Sequence, residues 1–289
     1  MLEELGEVGY DPCGEQAIAL GHAPADPAVE VEETGGAPVG QAEHASILPD
    51  VASKRLAKLL RPMTVDVRVL DDPAAETARR LVAAASAGGH LGLTGGSTPR
   101  AAYAQAAALR GDWGRATIWW GDERCVAPGD PRSNDALARD ALIDHVEPAP
   151  RVERIEGERG ASAGAERYED ALRATFGAGP PAFDLLLLGL GPDGHCASLF
   201  PGAPALEVTD RWVVPVERAG LEPFVPRISL TVPALTAARE TLFLVTGTEK
   251  ADAVRRAFGP GGDDLPARRV SEAAAGVTVV LDAAAAHEL

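Results

Sequence analysis

The sequence predicts an α/β protein, with a mostly parallel sheet flanked by helices. Three observations predict it. From Val65 onward, strand-like and helix-like segments alternate at the spacing of βαβ units. The run Phe183 to Leu188 is apolar except for Asp184 and stops at Gly189, which is too short for an ordinary helix and reads as a buried central strand. Strand-like runs also lead into glycine-bearing turns, GGSTPR and GLGPDG among them, where the backbone must bend or approach a ligand closely.

Taken in order, Val65–Leu70 alternates apolar and polar residues and is a strand. Asp72-Pro73 starts a helix over Ala74 to Ala87, which Gly88-Gly89 ends. His90–Thr94 is the next strand, and Thr98 can cap a helix whose first residue is Pro99 and which runs to about Leu109. Thr117–Trp120 is a strand running into GDERCV. Ser133 caps a helix through Val146, and Ala161–Phe176 is another. After the central strand come strands at Trp212–Val216, Thr241–Thr246 and Val277–Leu281, with a helix over Lys250–Phe258, for a set of roughly seven strands.

The chain's 289 residues suffice for one large α/β domain or two small ones, and 4% aromatics means a core made mainly of Ala, Val and Leu. The net charge of −16 is uneven: residues 1–53 hold eleven Asp and Glu and no Lys or Arg, leaving −5 for the rest. Residues 1–52 also mix Gly, Pro, Ala and acids without period, a composition that cannot bury enough surface to offset chain entropy. They read as a disordered or loosely attached extension, although a start site assigned too far upstream leaves the same trace. A short helix over Ser53 to Leu60 bridges to the domain, which occupies 53–289.

An acidic chain with no basic run argues against nucleic acid and anionic membranes as partners. It leaves anionic small molecules open, because a pocket can be locally positive. Cys13, Cys125 and Cys196 have neither disulfide-framework nor zinc-ligand spacing. MLEELGEV lacks the features of a signal peptide, and no apolar run reaches about 18 residues, so a soluble cytoplasmic protein is expected.

Four segments carry chemistry. GLGPDG fits the G-x-G-x-x-G pattern, but Phe200-Pro201-Gly202 breaks any helix it would open, which counts against a dinucleotide site. Within the same turn Asp193 and His195 place a carboxylate beside an imidazole, at the strand end where open α/β sheets put their chemistry. Gly95 to Arg100 offers free amides at a helix N-terminus with two hydroxyls alongside, which suits phosphate, and no Walker-type GK[ST] follows. Asp122, Glu123 and Arg124 form either a solvated rim or a fixed cation, Arg124, facing a substrate oxygen. Arg227 and Lys250 add cations beside strand-like runs. Cys196 reads as packing, and Ser198 lacks the G-x-S-x-G context of a nucleophile.

Together LTGGSTPR (93–100), WWGDERCVAPGDPRSN (119–134), LGLGPDGHCASLFPG (188–202), PRISLTVPALTAAR (226–239) and LVTGTEKADAV (244–254) resemble the 6-phosphogluconolactonase family of the oxidative pentose phosphate pathway. The resemblance spans about Val65 to Asp282, and its most specific piece is the glycine–DGH–ASLFP segment. It implies a Rossmann-like α/β fold shared with glucosamine-6-phosphate deaminase and ribose-5-phosphate isomerase. The deaminases also carry a GG-S-T-P turn and a DGH, but there FNEP follows, where this chain has Phe200 in SLFP, and DEY stands where this chain has DER. A sugar-phosphate-sensing regulator would need a helix-turn-helix that the acidic N-terminus does not offer.

The implied reaction is hydrolysis of 6-phospho-D-glucono-1,5-lactone, without metal or organic cofactor, by a monomer or small homo-oligomer. His195, Asp193 and Arg124 are the implied catalytic residues. Gly95, Gly96, Ser97, Thr98, Asp122, Gly194, Arg227 and Lys250 are the implied substrate and phosphate ligands.

Overall fold

The computed structural model describes residues 65–289, so the expectations for residues 1–52 and for a helix over Ser53 to Leu60 lie outside the described residues. Its centre is a seven-stranded sheet, all of whose pairings are parallel. In spatial order the strands are β1 (Val65–Val69), β10 (Val277–Leu281), β9 (Thr241–Val245), β6 (Leu185–Leu188), β2 (His90–Leu93), β3 (Thr117–Trp120) and β5 (Arg151–Val152). β6, β9 and β10 are buried at every position, as strands covered on both faces must be.

Three further strands form a small antiparallel sheet in the order β4 (Asp122–Arg124), β8 (Arg227–Leu230) and β7 (Val213–Val216). Trp212–Val216 therefore does not join the main sheet as its spacing suggests, and the two-residue β5 takes the seventh place. The chain leaves the main sheet at Gly121, whose N–H still bonds Leu93 O while its carbonyl accepts from Leu230 N of the small sheet. One residue thus joins the two sheets and carries the DER segment from one to the other.

The principal helices are α1 (Pro73–Ser86), α2 (Ser97–Ala108), α3 (Asn134–Ala141) and α4 (Ala161–Phe176). A short turn α5 (Val232–Leu235), α6 (Ala251–Phe258) and α7 (Pro266–Ala273) follow. Asp72 caps α1 by accepting from Ala75 N at 2.9 Å, with Pro73 in the first turn. Ser133 caps α3 in the same way, but the helix ends at Ala141 and tightens into a 3₁₀ turn, Ile143–His145, short of Val146. Thr98 is not a cap: α2 begins at Ser97 after Gly96, whose φ of +111° few other residues adopt, and the Thr98 hydroxyl bonds that of Thr246 at 3.1 Å. Among the described residues no helix is long and apolar enough to cross a membrane.

Two buried tyrosines finish the sheet where its strands end. The Tyr103 hydroxyl, from α2, donates to Thr94 O at 2.7 Å and accepts from Thr94 N at 3.0 Å. The Tyr168 hydroxyl, from α4, does the same for Trp120, at 2.9 Å both ways. Each phenol replaces a strand partner at a position where β2 or β3 runs out of neighbours, and so removes a buried unpaired peptide.

Candidate active site

The carboxyl ends of β2, β3, β6 and β9 open onto a cleft of about 240 Å³. That is the face on which parallel sheets build ligand sites. An adjoining hollow of about 220 Å³ shares Gly95, Gly96 and Lys250 with it and is lined also by Ser97 and Thr98.

The imidazole comes from the loop after β6. Gly191 N donates to His195 O at 2.8 Å and Gly194 N to Gly191 O at 3.0 Å, closing a tight turn. Gly194 sits at φ +84°, and a Cβ there would lie 2.5 Å from Leu265. Its N–H is spent inside the turn and it is not among the residues lining the cleft, so what the structure shows of Gly194 is its shaping of the loop. At Gly191 a Cβ would fall 1.9 Å from His195 Nδ1, so the ring rests directly on that backbone.

Asp193 Oδ1 pairs with His195 Nδ1 at 2.6 Å and accepts from His195 N at 3.2 Å. Phe200 packs against the imidazole with ring centroids 4.7 Å apart. The histidine side chain keeps 18% of its surface in contact with solvent, and Nε2 has no partner among the described residues. Burial raises the Asp193 pKa, but the hydrogen bond and charge of His195 outweigh it and hold the carboxyl below its ordinary value. An acceptor fixed on Nδ1 selects the tautomer in which Nε2 carries the free lone pair.

Facing this loop are Arg124 and Arg227, cross-strand neighbours in the β4–β8 ladder. Like charges directly opposite on a sheet repel. Arg227 is 3% exposed and gives Nη2 to the carbonyl of Leu221 at 3.1 Å, with those of Glu222 and Pro223 at 3.4 and 3.3 Å. Burial, and the charge of Arg124, pull its pKa below that of an ordinary guanidinium against the opposing pull of Asp122. Arg124 Nη1 donates to Arg132 O at 2.6 Å. The Nε of both arginines is buried without a partner.

Among the buried acids whose charge acts on Arg227 is Asp122, which accepts from Ser198 Oγ at 2.5 Å and Asn134 Nδ2 at 3.1 Å. Asp122 borders the cleft but is only 4% exposed, with both oxygens engaged, so it organises the wall more than it offers itself to a ligand. Across the cleft the amides of Gly95 and Gly96 make no hydrogen bond to the described protein. Lys250, half-buried, lies beside them; burial lowers its pKa while Glu249 and Asp193 raise it, with burial prevailing.

The structure thus gathers His195, Asp122, Arg124, Arg227, Lys250, Gly95 and Gly96 around one cleft, puts Asp193 behind the imidazole, and sets Ser97 and Thr98 in the adjoining hollow. Cys196 is buried and its thiol pushed far above the ordinary range, and the Ser198 hydroxyl is spent on Asp122, so neither is poised as a nucleophile. No helix opens after GLGPDG, where Cys196 and Leu199 form an isolated bridge, and the dinucleotide pattern lacks its structural context. Asn134 and Ser198 are the parts of this wall that sequence reasoning missed. Only their place inside PRSN and ASLFP hinted at them.

Residues 67–280 match the family model described as glucosamine-6-phosphate isomerases/6-phosphogluconolactonase. The chain is 38% identical over 206 residues to a 6-phosphogluconolactonase of Nostoc sp., covering 69% of this chain and 84% of that protein. It is 40% identical over 188 residues to one of Streptomyces coelicolor, with 62% and 72% covered. Among solved structures, the 6-phosphogluconolactonase of Trypanosoma brucei superposes with a TM-score of 0.67 at 29% identity, covering 78% of this chain and 99% of that one. A monomeric glucosamine-6-phosphate deaminase shares the fold at a TM-score of 0.68 and 20% identity, with 78% and 100% covered. With its family model spanning the sheet and every loop of the cleft, the chain belongs to the glucosamine-6-phosphate isomerase/6-phosphogluconolactonase family.

Proposed function

We infer that the protein is a 6-phosphogluconolactonase, hydrolysing 6-phospho-D-glucono-1,5-lactone to 6-phospho-D-gluconate. The observation that carries the reading is an Asp193-oriented imidazole sharing one cleft with free backbone amides and three cations. An ester hydrolase acting on an anionic sugar needs a base, an oxyanion partner and an anion seat, and this cleft holds one of each.

Neutral His195, its Nδ1–H donating to Asp193, takes a proton at Nε2 from a water as the water oxygen bonds to the lactone carbonyl carbon. The carbonyl π electrons move onto oxygen, and Arg124 meets that developing charge. When the tetrahedral centre collapses, the bond from the carbonyl carbon to the ring oxygen breaks. The imidazolium returns its proton to that oxygen, giving the open acid, which ionises. Asp193 holds the ring's tautomer and stabilises the imidazolium in between. Arg227, Lys250 and the Gly95 to Thr98 turn hold the phosphate. Phe200 supplies an apolar surface against the imidazole, in a place where proton shuttling through a carboxylate would need an acid.

The test couples lactone opening to 6-phosphogluconate dehydrogenase, subtracts spontaneous opening, and runs glucosamine 6-phosphate deamination alongside. Turnover of the lactone alone supports the reading, and deamination alone would replace it. His195→Ala should fall to the uncatalysed background. Wild-type turnover by that variant removes the base assignment.

A further inference from the structure

Glu123 is an acid that the chemistry above does not use. It is 3% exposed, lies one residue from Asp122 and Arg124, and no Lys, Arg or His forms a salt bridge with it among the described residues. Its oxygens are bonded by neutral donors alone. Oε1 accepts from Arg124 N at 2.7 Å and Asn134 N at 2.8 Å, and Oε2 from Ser133 Oγ at 2.9 Å and Asp135 N at 2.8 Å.

Helix capping explains only part of this arrangement: two of the four donors, Asn134 N and Asp135 N, are the first amides of α3. α3 is only eight residues long and already has a cap, because Ser133 Oγ accepts from Ala136 N at 3.1 Å. A buried carboxylate is a costly second cap unless it fixes something else. What it fixes is the return of the chain: Glu123 grips both ends of the loop from Arg124 to Asp135.

Two consequences reach the cleft. The closed loop sets Arg132 O against Arg124 Nη1 at 2.6 Å, which aims that guanidinium. It also sets Asn134, 1% exposed, so that Nδ2 donates to Asp122 O at 2.8 Å and to Asp122 Oδ1 at 3.1 Å. The other amide atom, Asn134 Oδ1, has no hydrogen-bond partner and lies 1.8 Å from where a Cβ on Gly95 would stand. Asn134 is thus wedged between the amide turn of one cleft wall and the aspartate behind the arginines of the other.

We propose that Glu123 is a positioning residue, which through Asn134 and the Arg132 carbonyl locks the Gly95 turn and Arg124 at a fixed separation. The proposal rests on the lactonase reading of the cleft. In Glu123→Gln the amide NH₂ replaces one acceptor oxygen and meets an N–H donor, so the loop shifts while volume is kept. In Asn134→Ala the wedge goes, together with one of the two hydrogen bonds to the buried Asp122 carboxylate, while Glu123 keeps all four of its donors.

The experiment is a double-mutant cycle on kcat/KM for the phosphorylated lactone, with thermal unfolding measured in parallel. Each single variant is expected to lose on the order of tenfold or more in kcat/KM, since sub-ångström to ångström displacements of binding groups cost that much. The loss is shared between KM, through the Gly95 turn, and kcat, through Arg124. The pair should lose far less than the product of the two, because both act through one linkage. Asn134→Ala with wild-type kcat/KM overturns the proposal even if Glu123→Gln fails to fold. So do multiplicative losses, or a lowered unfolding midpoint with unchanged kinetics. An inactive wild-type protein overturns the proposal and the lactonase reading together, whereas active wild type with active Asn134→Ala overturns the proposal alone.

Discussion

Replacing Gly191 by alanine tests the catalytic geometry with one methyl group. The ideal Cβ would stand 1.9 Å from His195 Nδ1, 2.2 Å from Cε1 and 2.7 Å from Asp193 Oδ1. Ordinary van der Waals contact begins at 3.4 Å, so the ring must retreat by 3.4 − 1.9, about 1.5 Å. The cleft side of the ring is open, and the imidazole moves that way, away from Asp193. Gly191 does not have a positive φ, so alanine strains no backbone and slightly restricts the unfolded chain. Folding is therefore largely spared while the base leaves its seat. A misplacement of about 1 Å can cost roughly 100-fold, so kcat should fall by about that factor. KM should stay within about twofold, because the phosphate seat lies on other loops. Coupled steady-state assays and a thermal melt measure both quantities. A variant with wild-type kcat would refute the claim that the imidazole works from the position it occupies here.

Other expectations follow from the same contacts. Arg227→Ala should raise KM for the phosphorylated lactone by about tenfold or more and scarcely change kinetics on the unphosphorylated one, since charge-assisted bonds are worth about 1.5–3 kcal/mol. Equal effects on both substrates would take Arg227 out of the phosphate seat. For Asp193, a folded-state pKa below the ordinary 3.8 means that its contribution to stability is complete above the unfolded value and is lost as pH falls through the folded one. Acid denaturation of wild type and Asp193→Asn, followed by circular dichroism, should therefore differ in slope below about pH 4. Parallel curves would exclude a depressed carboxyl. At neutral pH Asp193→Asn should also lower kcat by at least about tenfold with KM little changed, because the favoured imidazole tautomer is lost. A kcat unaffected by that change would separate the carboxylate from the base.

Much of the sheet and the His195 loop was legible because both depend on local rules. The apolar run before Gly189, the proline and glycine punctuation of α1, and the Asp193–His195 spacing each state their structure within a few residues. The small sheet was not legible. β4 is three residues of charge, and nothing local says that Asp122 and Glu123 are buried rather than a solvated rim. Their burial is compensated from afar, by amides eleven and twelve residues on and a serine 76 residues away. Thr98 looked like a cap because its neighbours fit the pattern, but its hydroxyl is claimed by Thr246, 148 residues distant. Arg227 is legible as a cation at a strand-like run, while its confinement under the Leu221 to Pro223 carbonyls follows from a loop whose path no periodicity encodes.

A parallel sheet that must part its strands to admit a sugar acid would ordinarily leave torn edges at the mouth. Here Tyr103 and Tyr168 act as hems, each closing the frayed peptide of one strand with a single oxygen. Because those oxygens belong to Tyr103 and Tyr168, neither of which lines the cleft or the hollow beside it, the ends of β2 and β3 are held from behind, by side chains that a guest molecule does not meet. Selectivity for the length of a guest can therefore drift through changes in α2 or α4 alone, with every group that touches it left intact.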